Sequence, residues 1–217
     1  MSHLHLHRLA RTLRAMGVAC CIALLQAAAW AAPWLDETPR IAIISAFPAE
    51  MNLLLARVQA PQRHSVNGVG FTTGQLQGKP VVLLHSGISM TNAAMNTQLV
   101  LDRFKVTHIV YSGIAGGVNP ALHIGDVTVP QRWGQYLEVL VARETAPGTF
   151  TPPIWMDDVK LPRFGANHPR PVEVRSAAQP KEHKKFWFEV DPTLLSLARS
   201  IQGTALADYE ATISPIP

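Results

Sequence analysis

A loop of nearly bare backbone constrains this chain most. Tyr111-Ser-Gly-Ile-Ala-Gly-Gly-Val-Asn119 follows an apolar strand signal and leads into Ile124-Gly-Asp-Val-Thr-Val-Pro130. Three glycines and one alanine lie between Gly113 and Gly117, where larger side chains would crowd the backbone. Main-chain N–H groups in such a loop can approach a flat ligand closely. Open α/β sheets bind their ligands beyond the carboxyl ends of their strands, where this loop would sit.

The pattern before that loop is strand, helix, hairpin, helix, strand. Arg40–Ala46 is a short apolar run rich in β-branched residues, as in a strand covered on both faces. Pro48 suits the first turn of a helix that continues to Arg57. Gly70–Leu76 and Pro80–His85 read as strands joined by a tight turn at Gln77-Gly78. Thr91 or Asn92 is expected to cap the next helix, on which Met95, Leu99 and Phe104 keep helical spacing. His108–Ser112 reads as another buried strand. The expectation is an α/β fold, a three-layer domain with a mixed central β-sheet flanked by helices.

Residues 145–185 look different. Seven prolines fall between 145 and 180, and apolar periodicity does not last two turns, so an irregular surface insertion is expected. Asp157-Asp158 reads as a solvated pair, and Phe186-Trp187-Phe188 reads first as core, with stacking on a base as the alternative. Asp191-Pro192 should open a helix over Thr193–Gln202, closed by Gly203. A crossover helix calls for a strand to return to. The reading therefore expects the last strands of the sheet to be missing and the domain over 32–217 to be incomplete at its C-terminus.

Residues 1–31 read as a signal peptide. Arg8, Arg11 and Arg14 precede an apolar run from Ala15 to Ala29, and Ala29-Trp30-Ala31 offers a small-residue cleavage position. The expected location is exported, periplasmic or secreted, with no membrane attachment after cleavage. Removal of three arginines and no acids takes the formal charge from +4 to +1. The basic balance thus belongs to the leader, and no nucleic-acid partner is expected. Cys20 and Cys21 also lie in the leader, so the exported chain would have neither disulfide nor thiolate metal site. His64, His85, His108, His123 and His168 show no paired ligand spacing, and no metal is expected.

Three loops would meet at one end of the sheet. The first carries Glu50 in the first turn of a helix, where the helix dipole favours an acid. The second is Ser86-Gly-Ile-Ser-Met90, and the third is Gly113-Ile-Ala-Gly-Gly117. Together they outline a pocket of nucleoside size. Ser86 lacks the Gly-x-Ser-x-Gly context of a hydrolase nucleophile.

These loops, taken in order, resemble the superfamily of nucleoside phosphorylases and methylthioadenosine/adenosylhomocysteine nucleosidases. The resemblance rests on Ile41-Ala-Ile-Ile-Ser-Ala-Phe-Pro-Ala-Glu50, Ser86-Gly-Ile with Asn92-Ala-Ala, and Gly113-x-Ala-Gly-Gly followed by Ile124-Gly-Asp-Val. The wording from Gly113 to Trp133 is also similar to exported bark and vegetative storage proteins of that superfamily. The resemblance implies cleavage of the N-glycosidic bond of a purine nucleoside, hydrolytic or phosphorolytic. Glu50 would activate the attacking water, and Ser86 and Gly87 would line the water or phosphate side of the sugar. Gly113, Ala115 and Gly116 would present backbone to base and ribose, and Phe47 would pack near the sugar. No cofactor is expected beyond inorganic phosphate as a co-substrate, and the assembly to be tested is a homodimer. Ile114 stands where nucleosidases commonly carry a serine, and the family's Met-Glu and Ser-Asp motifs have no match here. The alternative is a non-catalytic exported nucleoside-binding or storage-type protein.

Overall fold

The computed structural model describes residues 34–156 and 159–201. The expected leader, the Asp157-Asp158 pair, Gln202 and Gly203 lie outside the described residues. The described residues divide into two compact units, the first ending at Gly116 and the second beginning at Gly117.

The first unit runs β1 (Asp36–Ser45), α1 (Pro48–Arg57), β2 (Gln59–Val66), β3 (Val69–Leu76), β4 (Lys79–His85), α2 (Met90–Arg103) and β5 (Phe104–Tyr111). The sheet order is β2-β3-β4-β1-β5. β1 is parallel to β4 and β5, whereas β2, β3 and β4 form an antiparallel meander, so the sheet is mixed. Two core layers follow from the alternation along the central strands. Ala42, Ile44, Phe71, Val82 and Leu84 pack with Val100 of α2 and with Phe104. On the opposite face Ile43, Val81 and Leu83 pack with Met51 of α1 and with Val58. Helices thus cover both faces, giving the three-layer α/β arrangement, and the shared carboxyl ends of β1, β4 and β5 fall on one rim.

Three details differ from the sequence expectations. The cap of α2 is Ser89 rather than Thr91 or Asn92. Its hydroxyl accepts the Asn92 N–H at 3.3 Å, the third amide of the helix. β2 is an additional strand, joined to β3 by Asn67-Gly68, whose φ values of 50° and 80° suit a tight hairpin turn. The strand at His108 begins earlier, at Phe104, and it is not buried: Ile109, Val110 and Tyr111 are 41–46% exposed. The reason is position, because among the described residues β5 is the last strand in the order and pairs with β1 alone.

The second unit is built of short antiparallel ribbons. β6 (Arg132–Gly134) pairs with β13 (Trp187–Glu189), and β7 (Val139–Val141) pairs with β10 (Asn167–Pro169). β8 (Arg143–Ala146) pairs with β9 (Thr149–Thr151), and β11 (Val172–Val174) pairs with β12 (His183–Lys185). The helix α3 spans Pro192–Ser200, and Asp191 caps it by accepting the Leu194 N–H at 2.8 Å. Phe186 and Trp187 meet edge to face at 4.9 Å. They are not core: Trp187 is half-exposed, with the Arg132 guanidinium 4.3 Å above its ring. Among the described residues no helix is long and apolar enough to cross a membrane.

Candidate functional site

The carboxyl ends of β1, β4 and β5 each release a loop within the first unit, and Glu50 ties the first loop to the third. Pro48 starts α1 with a preset φ, which places Glu50 in its first turn. Phe47, half-buried, is the N-cap; its carbonyl accepts the Glu50 N–H at 3.2 Å. Each carboxylate oxygen of Glu50 then accepts a backbone N–H at 2.8 Å, Oε2 from Ala46 and Oε1 from Ile114. Two donors from different loops fix the plane of the carboxyl group.

Gly113 is required by this contact. A Cβ there would lie 2.7 Å from Glu50 Oε1 and 3.1 Å from Cδ, closer than packed atoms approach. Gly116 is different, because an added Cβ would meet no atom within 4 Å. Ala115 and Gly116 continue the loop in exposed positions, as bare backbone open to solvent. The side chain of Ile114 points outward, 82% exposed, while its amide holds Glu50.

Ser86 and Gly87 form the floor of the second loop. Ser86 is fully buried and held at both backbone ends: its N–H donates to Ser45 O at 2.8 Å, and its carbonyl accepts Asn96 Nδ2 at 2.7 Å. Gly87 has φ +79°, and a Cβ there would meet Asn92 Nδ2 at 3.2 Å. Asn92 Nδ2 in turn donates to Ile88 O at 2.8 Å, bracing the turn into α2.

Sequence spacing gives no sign of two further features. The Tyr111 hydroxyl lies 3.2 Å from Ser86 Oγ. Among the described residues Ser45 Oγ and His85 Nε2 are buried with no hydrogen-bond partner, and the two residues are register partners at the ends of β1 and β4. Such orphans recur at functional sites, since each costs about 1–3 kcal/mol unless a ligand or solvent serves it. The segments 45–50, 85–92 and 111–116 contain no lysine or arginine, so Glu50 is their one formal charge. This rim can orient a water or a sugar hydroxyl against a carboxylate, and these three segments bring no cation to a phosphate dianion.

The family model of the Phosphorylase superfamily matches residues 40–213. The 5'-methylthioadenosine/S-adenosylhomocysteine nucleosidase of Bacillus thuringiensis (strain Al Hakam) is 41% identical over 90 residues, 42% of this chain and 39% of that protein. That of Bacillus licheniformis is 40% identical over the same length. The chain thus spans about two fifths of the length of the curated relatives it matches. Among solved structures, the Streptococcus pneumoniae nucleosidase with the transition-state inhibitor MT-ImmA is similar at TM-score 0.51 and 26% identity, over 74% of this chain and 56% of that one. The Neisseria meningitidis nucleosidase with methylthio-immucillin-A matches at TM-score 0.51 and 22% identity, over 75% and 57%, a likeness of fold.

Proposed function

Since the chain belongs to the phosphorylase superfamily, we propose that it cleaves the N-glycosidic bond of a purine nucleoside, with water as the nucleophile. The observation that carries this reading is the Glu50 carboxylate, clamped by the Ala46 and Ile114 N–H groups between the first and third loops. The relatives that support it are named as nucleosidases of methylthioadenosine and adenosylhomocysteine.

Cleavage builds positive charge on the ribose as the bond electrons leave with the purine. Water adds at the anomeric carbon, its proton passes toward Glu50, and the departing base takes up a proton. A fixed carboxylate facing the sugar stabilises that charge before and during attack, because it needs no reorganisation. Water is favoured over phosphate because the three loops supply no lysine or arginine. Export through the leader at 1–31 and assembly as a homodimer belong to the same proposal; no resident cofactor is required by the chemistry.

The test is release of free adenine from 5′-methylthioadenosine by the purified protein, with and without phosphate. Equal release in both conditions is expected. Release only with phosphate overturns the choice of water, and nucleoside binding without turnover selects the storage-type reading instead.

A further inference from the structure

The second unit contains a cavity of about 440 Å³, to whose residues neither the loop motifs nor the resemblance gives a role. Its walls come from three local pieces. Glu138 and Arg170 extend the β7–β10 ladder: the Arg170 N–H donates to Glu138 O at 2.9 Å, and its guanidinium donates to Glu138 Oε1. Glu173 of β11 and Lys184 of β12 are register partners. The one-turn 3-10 helix Ile154–Met156 supplies the Trp155 indole, 56% exposed, and the buried Met156 side chain.

These walls select a ligand by charge. Among the described residues two acids and two bases line the cavity, so their formal charges cancel. One pair is closed on itself, Glu138 with Arg170. The other is open. Residues directly opposite on an antiparallel ribbon carry their Cβ atoms roughly 5 Å apart on one face. Glu173 and Lys184 stand so, yet among the described residues neither is in a salt bridge or a side-chain hydrogen bond. A simple anion or cation would meet its own sign as often as the opposite one. A hydrocarbon would desolvate an ammonium and a carboxylate without serving either. A molecule with an ammonium and a carboxylate side by side serves both. A flat or apolar group on that molecule can then lie against the indole and the thioether.

We propose that this cavity binds a free α-amino acid with an apolar or aromatic side chain, its ammonium on Glu173 and its carboxylate on Lys184. The size agrees, since small-molecule pockets run from about 300 to 1,000 Å³. The inference stands apart from the nucleosidase reading, because none of its residues belongs to the three loops of the rim.

The experiment is calorimetry on the full chain with L-phenylalanine as the probe. Phenethylamine, which lacks the carboxylate, and hydrocinnamate, which lacks the ammonium, are titrated beside it. Binding of L-phenylalanine is expected, with each truncated probe about tenfold weaker or more, the loss of one charge-assisted hydrogen bond. Trp155→Leu and Lys184→Ala should each weaken L-phenylalanine about tenfold without moving the thermal melt, and Lys184→Arg should restore the second loss. Glu173→Gln should abolish the preference for L-phenylalanine over hydrocinnamate, a ratio that a mere loosening of the fold would not move. Absence of L-phenylalanine binding, equal binding of either truncated probe, or an unchanged preference in Glu173→Gln overturns the proposal. None of these results bears on adenine release at the rim, so the two readings fall separately.

Discussion

At the scale of single residues, the site is defined by what Glu50 can touch. A methyl group on residue 113 would overlap the carboxylate that Ile114 and Ala46 hold. Gly113→Ala should therefore displace Glu50 and cut kcat about 10²-fold, within the range that positioned acid–base groups contribute. Gly116→Ala, with open space around its Cβ, should leave stability within about 0.5 kcal/mol, measured by urea denaturation. The glycines and Glu50 are legible from sequence because each acts through local rules: an acid in a first turn, bare backbone after a strand. Tyr111 is not legible, since its contact crosses two strand spacings and depends on sheet order. The orphaned Ser45 and His85 are hidden for the same reason, because only their register brings them side by side.

At the scale of elements, close approaches and edge position decide what the sequence conceals. Gln59–Val66 is mostly exposed and carries no apolar alternation, so only Asn67-Gly68 marks it as half of a hairpin. The apolar run at His108–Tyr111 reads as buried, yet an edge strand with one partner leaves it half in solvent. β3 passes so near the end of α1 and the start of β2 that a Cβ on Gly74 would lie 2.4 Å from Val58 Cγ1 and 2.7 Å from Gln59 O. Gly74→Ala should cost about 1–3 kcal/mol, read as a lower urea midpoint at unchanged m-value. Arg40 braces the other end of the sheet: Nε donates to Asp36 at 2.6 Å, and Nη1 donates to Gly74 O and Val81 O. Burial alone would raise the Asp36 pKa, but hydrogen bonds from Thr38 and Arg40 and the Arg40 charge outweigh it and leave it lowered. A carboxyl with a depressed folded pKa stabilises above its unfolded pKa, and that contribution is lost as pH falls through the folded value. Asp36→Asn should thus lower stability at neutral pH and flatten the acid limb of the pH–stability curve below the ordinary carboxylate range.

At the scale of the whole molecule, the parallel core of the first unit brings three loops to one rim, where the proposed hydrolysis is set. The proposed export predicts that protein recovered from outside the cytoplasm begins near Ala32 by N-terminal sequencing, having lost Arg8, Arg11 and Arg14; a chain still beginning at Met1 there would contradict it. The most direct check on the central claim is the rate at which the purified protein liberates adenine from 5′-methylthioadenosine without phosphate, compared with the Glu50→Gln variant. Steady liberation that drops about 10²–10⁴-fold in the variant, with its melt unchanged, is the predicted result. Undiminished liberation by Glu50→Gln would contradict a carboxylate-driven hydrolysis at this rim.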